Sequence, residues 1–167
     1  MSIAAADPSP QIAVETPEDA PAVEALILAV FGPGRYAKAA ERLREGRQPM
    51  RPLSFGAWDG GALVGCVRQW SVTVGGAAAV LLGPVAVAPA HRKLGLGAAL
   101  VEQACRAADE AGLPAVILVG DEPYYAPHGF SPAPGVAMPG PVDPRRVLAR
   151  ILKAGAGVRL EGRVLPA

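Results

Sequence analysis

The chain has 167 residues, which is enough for one hydrophobic core, and 51% of them are hydrophobic while 19% are charged. This balance predicts a folded globular protein and excludes a disordered chain. The 16 basic and 15 acidic side chains leave a net charge of +1, which gives no general electrostatic case for nucleic acid or an anionic membrane as a partner.

The N-terminus and the cysteines indicate the cellular compartment in which the protein is expected to work. Residues 1–10 have neither the basic start nor the apolar stretch of a secretion signal, so we expect a frayed tail followed by a single domain over residues 11–167. Cys66 and Cys105 lack the spacing and the neighbouring histidines of a metal site. We therefore expect two buried thiols in a reducing cytoplasm, and no metal.

The first part of the chain predicts one strand and two helices. A strand is expected over residues 11–15, and Thr16 then provides a helix N-cap ahead of Pro17. Apolar residues recur with the helical period until the breakers at 32–34 end this helix. A second, more polar helix is expected over residues 36–45.

The middle of the chain predicts three consecutive antiparallel strands, because turn signals with glycine pairs separate runs rich in β-formers. These strands are expected at residues 53–58, 62–74 and 78–87. The uncharged run at residues 69–90 is long enough to cross a bilayer, but it contains Gly75-Gly76, Gly83-Pro84 and Pro89. We therefore interpret it as strand, turn and strand, not as a membrane span.

A basic, glycine-rich loop joins the last of these strands to an amphipathic helix that runs to Gly112. The loop reads Arg-Lys-Leu-Gly-Leu-Gly at residues 92–97. Free amides and the positive end of a helix dipole attract anions, and glycines let a phosphate approach the backbone. A dinucleotide fingerprint would need a small residue at Leu100, and a Walker loop would need Lys-Ser/Thr after Gly97. The remaining alternative to an anion site is an ordinary connection with solvated basic side chains.

The rest of the chain completes a mixed α/β pattern around one sheet. Residues 113–119 are apolar throughout, as is typical of a buried central strand. Prolines divide the following segment, where short strands are expected at 136–138 and 147–152. The apolar end at 151–167 is expected to complete a sheet edge or to pair between subunits.

Two blocks of sequence resemble a known family. Residues 81–89 read LLGPVAVAP and lead into Arg-x-x-Gly-x-Gly at 92–97, while residues 120–130 read GDEPYYAPHGF. The first block resembles the acetyl-CoA-binding motif of the GCN5-related N-acetyltransferases (GNAT), and the second is similar to the Y-x-x-x-G-F turn of that family. The GD-x-x-YY-x-x-x-GF form resembles a bacterial subgroup of predicted N-acetyltransferases.

The resemblance implies an α/β fold with a mostly antiparallel sheet, flanked by helices and splayed between the fourth and fifth strands to admit pantetheine. It also implies direct transfer of an acetyl group from acetyl-CoA, as co-substrate, to a primary amine of a small molecule or protein. The implied contacts to acetyl-CoA are Val85, Ala86 and Val87 on the strand, and Arg92, Lys93, Leu94, Gly95, Leu96, Gly97 and Ala98 in the loop and the first helical turn.

Tyr125 matches the family tyrosine that acts as general acid toward the CoA thiolate. The general base stays open between Asp121, Glu122 and a water-mediated path. By the same resemblance His128 faces away from the site, and we expect His91 to be a solvated residue at the rim.

The acceptor, the acyl group and the oligomeric state are not decided by the sequence. By the resemblance the first two helices line the acceptor side, where Arg35 or Arg68 could meet an acidic group, but nothing in the sequence identifies the acceptor. A non-catalytic acyl-CoA-binding or interaction module is the alternative function, and an acyl group longer than acetyl is a third interpretation. Homodimers are common in the family, and the sequence does not decide the oligomeric state.

Overall fold

A mixed sheet of nine strands organises the computed structural model, which describes residues 9–167. The strands are β1 Gln11–Val14, β2 Phe55–Asp59, β3 Ala62–Val74, β4 Ala77–Val87, β5 Ala115–Val119, β6 Ser131–Pro132, β7 Val136–Ala137, β8 Val147–Ile151 and β9 Gly162–Pro166. The helices are α1 Ala20–Phe31, α2 Leu96–Glu110 and the single turn α3 Glu122–Tyr125.

The strand order is β1-β2-β3-β4-β5-β8-β6, with β9 paired to β3 and β7. Pairing is antiparallel except for β4 with β5 and β7 with β9. Helices α1 and α2 cover opposite faces of the sheet, because α1 packs on Cys66 and α2 on the adjacent Val67, and neighbouring residues of a strand point to opposite faces. This is the mixed, mostly antiparallel α/β sheet that the sequence predicts.

Strands β4 and β5 part soon after they meet. Their pairing ends at Leu81 and Ile117, although β4 continues for six more residues to Val87. A β-bulge in β4 begins at this point, since the register with β3 places Gly83 and Pro84 together opposite Arg68. A bulge bends its strand, and proline offers no N–H to a neighbouring strand, so β4 turns away from β5. The splay expected between the fourth and fifth strands is therefore confirmed.

The bulge depends on a glycine. Gly83 has a φ of +132°, a conformation that side-chain-bearing residues rarely adopt, and its carbonyl accepts a hydrogen bond of 2.7 Å from the indole N–H of Trp70. A Cβ at Gly83 would also lie 3.0 Å from Nη2 of Arg44. The backbone at the start of the splay is thus fixed by Trp70 and covered by Arg44.

The prediction of an α-helix over residues 36–45 is wrong. This segment forms two short 3-10 turns, Pro33–Ala37 and Ala39–Leu43, which are separated by Lys38 in an extended conformation (φ −76°, ψ 144°). The second turn buries four of its five residues, and two of these, Ala40 and Leu43, pack with residues of the sheet. The extended backbone of Lys38 interrupts the segment, so one continuous α-helix does not run through it.

The uncharged run at 69–90 forms most of the β3–β4 hairpin, as predicted, and no helix in residues 9–167 is long and apolar enough to cross a membrane. Strand β9 completes the edge of β3 by pairing with Val72 to Val74. The frayed tail predicted at residues 1–10 lies mostly outside the described residues.

Both cysteine thiols are buried, which predicts low reactivity in the folded protein. Burial raises the pKa of Cys66 to about 12 and that of Cys105 to about 11. Because the thiolate is the reactive form, dithionitrobenzoate at pH 8 should modify neither cysteine of the native protein and both after unfolding in guanidinium. Rapid modification of folded protein would contradict this prediction, and a Cys105→Ala variant would then identify the residue.

Candidate active site

A cleft of about 680 Å³ opens where β4 leaves β5. Its walls come from the ends of α1 and α2, the 3-10 turns after α1, the parted strands, α3 and the segment before β8. The lining residues used below are Arg35, Lys38, Arg44, Gly83, Pro84, Val85, Val87, Arg92, Gly97, Gly120, Asp121, Tyr124, Tyr125 and Arg146. Elements from almost the whole chain therefore meet at the splay.

The glycine-rich loop delivers the N-terminus of α2 to one end of this cleft. Lys93 (φ 68°) and Gly95 (φ 76°) both have left-handed backbones, and Gly95 caps the helix. The first N–H groups of an α-helix have no acceptor within the helix. Arg92 holds the loop to the end of β4 through a 3.2 Å hydrogen bond from its Nε to the carbonyl of Val87. The loop thus has the geometry of an anion site.

The ten residues expected to contact acetyl-CoA lie around this end of the cleft but face different ways. The side chains of Val85, Val87 and Arg92 line the cleft, as does Gly97. The other side chains do not line it: Ala86 packs with α1, Leu96 enters the core under α2, and Lys93, Leu94, Gly95 and Ala98 lie at the surface or partly exposed. For these residues the groups that can face a ligand inside the cleft belong to the backbone, while the exposed side chain of Lys93 can add positive charge only at its rim.

Two neighbouring tyrosines on α3 face the cleft from the β5 side. The ring of Tyr125 packs on Gly120, where a Cβ would come within 2.4 Å of Cε2, and its centroid is 5.8 Å from that of Phe130. Burial raises the pKa of Tyr125 to about 12. Tyr124 reaches further toward α2, since its hydroxyl lies 2.7 Å from the position of a Cβ on Gly97. The two phenols therefore serve different parts of the cleft.

The candidate acid and base residues differ in whether they line the cleft. Asp121 lines the cleft and pairs with Arg146 at 3.3 Å, whereas Glu122 is exposed and lies outside the lining. His128 pairs with Glu102 at 2.6 Å and His91 pairs with Asp59 at 2.8 Å, both away from the cleft. Within residues 9–167, no group of three or more His, Cys, Asp and Glu side chains could hold a metal ion.

The part of the cleft lined by the 3-10 turns after α1 is basic. Arg35, Lys38 and Arg44 lie here, and the sequence analysis named only the first of them. Arg44 is 12% exposed, and burial lowers its pKa to about 10. Arg68, the other arginine considered for an acidic substrate, is buried in ion pairs with Glu15 and Glu24 and does not line the cleft. The segment of Arg44 carries no motif, so sequence reasoning had no signal for it.

A mixed sheet that parts beside a glycine-rich helix N-terminus defines the class of the N-acyltransferases. The sequence model of the Acetyltransferase (GNAT) family matches residues 21–130, and the chain belongs to this family. It is 34% identical over 122 residues, 71% of this chain and 72% of the relative, to a protein of Escherichia coli strain K12 described as uncharacterized N-acetyltransferase YhbS.

Solved structures of GNAT proteins are similar to this chain as well. The crystal structure of YhbS from Escherichia coli in complex with CoA is similar with a TM-score of 0.83 at 27% identity, covering 99% of this chain and 94% of that one. A GNAT family acetyltransferase from Brucella melitensis in complex with acetyl-CoA has a TM-score of 0.64 at 28% identity, covering 89% of this chain and 99% of that one. The family resemblance found in the sequence is thus confirmed.

Proposed function

We propose that this protein transfers the acetyl group of acetyl-CoA directly to a primary amine. The observation that carries the proposal is the meeting, in one cleft, of a free strand edge on β4, the N-terminus of α2 and the partly buried phenol of Tyr125. These are an extended hydrogen-bonding edge, an anion site and a proton donor. The E. coli and Brucella relatives whose structures contain CoA and acetyl-CoA support this donor.

The parted strand would hold the pantetheine arm. Beyond Leu81, β4 is paired with β3 on one side only, so the backbone of Val85, Ala86 and Val87 can take an extended ligand as it would take another strand. The amides from Leu94 to Ala98 would bind the pyrophosphate at the helix end, with Lys93 adding positive charge. Arg92 already contacts the Val87 carbonyl and would close this end of the site.

The transfer needs a base at the amine and an acid at the thiolate. An alkylamine is mostly protonated near neutral pH, so a base must remove one proton before the nitrogen attacks the thioester carbonyl. The C–N bond then forms, the nitrogen gives up its second proton to the base or to solvent, and the C–S bond breaks. Tyr125 protonates the leaving thiolate and recovers its proton from solvent or from the base. A phenol with a pKa of about 12 is fully protonated at pH 7, as this role requires.

Asp121 is the side-chain base that the cleft favours over Glu122, since Asp121 lines it, and a water path would serve equally. A cytoplasmic location is part of the proposal, supported by the two buried cysteines without a disulfide. Whether the protein works as a homodimer is a separate question that gel filtration with light scattering would answer.

The deciding experiment combines calorimetry with an acceptor panel. Titration with acetyl-CoA tests binding, and release of free thiol with mass detection of acetylated products tests transfer across amino acids, aminosugars, polyamines and peptides. Binding with turnover on at least one amine would support the proposal. Binding with turnover on none of the acceptors would favour a non-catalytic acyl-CoA-binding module. Faster turnover of propionyl-CoA or succinyl-CoA than of acetyl-CoA would show that the protein prefers a longer acyl group.

The Gly97→Val variant should lower acetyl-CoA affinity by about tenfold or more, which corresponds to about 1.4 kcal/mol. A side chain at this position would point into the cleft, because a Cβ there comes within 2.7 Å of the Tyr124 hydroxyl. Calorimetry measures the change. Ala99→Val is the control, since it introduces the same side chain at an exposed position of the same helix, outside the cleft lining. Equal acetyl-CoA affinity in both variants would contradict the placement of the pyrophosphate at the N-terminus of α2.

A further inference from the structure

A smaller pocket of about 270 Å³ lies beside the main cleft and shares Arg35, Arg44 and Pro84 with it. It lies between α1, the 3-10 turns after α1 and strand β3. The lining is highly charged, consisting of Glu24, Arg35, Tyr36, Glu41, Arg44, Glu45, Gly46, Arg47, Arg68, Trp70 and Pro84. At about 30 Å³ for each water molecule, the pocket has room for about nine waters, or for one group of amino-acid size.

Unpartnered polar atoms are concentrated here. Within residues 9–167, six buried side-chain nitrogen or oxygen atoms lack a hydrogen-bond partner, and three of them belong to this pocket. They are Nε of Arg35, Nε of Arg44 and Oε2 of Glu41. Glu41 Oε2 forms an ion pair with Nη1 of Arg44 at 3.5 Å, a distance too long for an ordinary hydrogen bond. Burying such atoms without partners is unfavourable, so their concentration at one pocket points to a ligand.

The other charges of the pocket are already engaged. Arg68 is held by Glu15 and Glu24, and Arg47 donates to the backbone carbonyls of Leu43 and Ser71 at 2.8 and 2.9 Å. Glu45 pairs with Arg42. Arg35 also reaches Glu24 and the Tyr36 hydroxyl through Nη2, which leaves its Nε free. The groups left to hydrogen-bond with a ligand are Nε of Arg35, Nε of Arg44 and Oε2 of Glu41, the last of which is ion-paired with Arg44 but not hydrogen-bonded.

Arg44 connects this pocket with the place where transfer would occur. Its Nη2 lies over Gly83, at the bulge where β4 leaves β5. A ligand bound to Arg44 in the side pocket would therefore extend past Pro84 into the splay. The glycine-rich loop and Gly97 lie toward the other end of β4, so the donor and this ligand would approach the splay from different sides.

We propose that the side pocket binds the acceptor substrate and that this acceptor is a small amine carrying a carboxylate, such as a free amino acid. This inference rests on the proposed acetyl transfer. The carboxylate accepts hydrogen bonds from Arg35 and Arg44, and a donor group of the same molecule, N–H or O–H, binds Oε2 of Glu41. Guanidinium groups match carboxylates in shape and charge. A polyamine would place further positive charge against two arginines and is disfavoured.

Matched pairs of acceptors test this assignment on the unaltered protein. Amino acids are compared with their carboxamides, and phosphoethanolamine with ethanolamine, in thiol-release assays at saturating acetyl-CoA. The acids should show a kcat/KM at least about tenfold above their amides. A carboxamide has the less basic amine and so the larger neutral fraction near pH 7, and the supply of neutral amine alone would give the opposite order. Equal or better use of amides would overturn the inference, as would acceptance of only the phosphate-bearing amine.

The same pairs are also tested by calorimetry on the CoA-bound protein, because binding does not depend on turnover. If CoA binds but no amine is acetylated, the proposed function fails, and selective binding of the acids would still support the side pocket. Acetylation of many amines without preference for acids would overturn the assignment of the side pocket and leave the proposed function intact. The two failures are therefore distinguishable.

Substitution of Arg44 identifies the contact. Arg44→Gln should lower kcat/KM for acids by about tenfold more than for the matching amides, and Arg44→Lys should recover part of this selective loss. Arg106→Gln, which removes an exposed charge from α2, is the control. Equal losses on acids and amides in a folded Arg44→Gln protein would contradict a carboxylate contact.

Discussion

Replacing Tyr125 with phenylalanine is expected to lower kcat by about 100-fold, within the range typical of general acid catalysis. The phenol is the proton donor proposed for the leaving thiolate, and phenylalanine keeps the ring that packs on Gly120 and Phe130. The Kd for acetyl-CoA should therefore change by less than about threefold, far below the effect on kcat. Steady-state kinetics and calorimetry measure the two quantities.

Tyr124→Phe is the matched control, because it removes the same hydroxyl one residue away. The Tyr124 hydroxyl lies beside Gly97, at the helix end of the cleft, and we expect its loss to affect acetyl-CoA affinity more than kcat. A large fall in kcat for Tyr124→Phe with little change for Tyr125→Phe would transfer the acid role to Tyr124. Unchanged turnover in both variants would remove tyrosine from the proposed chemistry.

Replacing Arg68 with methionine should destabilise the protein by about 3–5 kcal/mol, as expected when one partner of a buried ion pair is removed. Arg68 binds Glu15 through Nε and Nη2 at 3.1 and 2.8 Å, and the side chain of Glu15 is fully buried. Burial alone would lower the pKa of Arg68, but the hydrogen bonds to Glu15 and Glu24 raise it. Without Arg68 the Glu15 carboxylate is left buried and uncompensated.

Urea unfolding followed by circular dichroism measures this effect. Arg106→Met serves as the control, because Arg106 is exposed on α2 and should change the free energy of unfolding by less than about 0.5 kcal/mol. A double variant, Arg68→Met with Glu15→Met, should recover much of the loss since no charge remains unpaired. A loss below about 1 kcal/mol in the single variant would show that this pair does little for stability.

The strands could be predicted because their signals are local. The β3–β4 hairpin follows from alternating apolar positions and the Gly75-Gly76 turn, and both strands were located to within one residue. The segment after α1 was mispredicted because its conformation depends on distant contacts. Ala40 and Leu43 pack on Trp70 and other buried residues of the sheet, and the extended Lys38 interrupts the expected helix before them.

Some residues of the candidate site could also be predicted from local sequence, and others could not. The loop at 92–97 and Tyr125 lie in short motifs, so a pattern was sufficient to find them. The side pocket brings together α1, the 3-10 turns and β3, and its members Glu41 and Arg44 belong to no motif. Arg68 was considered for the substrate, yet its role in the buried ion pair with Glu15 becomes visible only when two segments 53 residues apart are in contact.

The parting of β4 from β5 also bears on association between molecules. A strand with one unpaired edge at the outside of a sheet can recruit a strand from another chain, which leads to aggregation. In this protein the free edge of β4 lies inside a cleft whose other wall is formed by β5 and α3, with Tyr124 and Tyr125 facing it. The edge can thus admit a slender extended ligand while the opposite wall keeps it from the surface where another sheet could add to it.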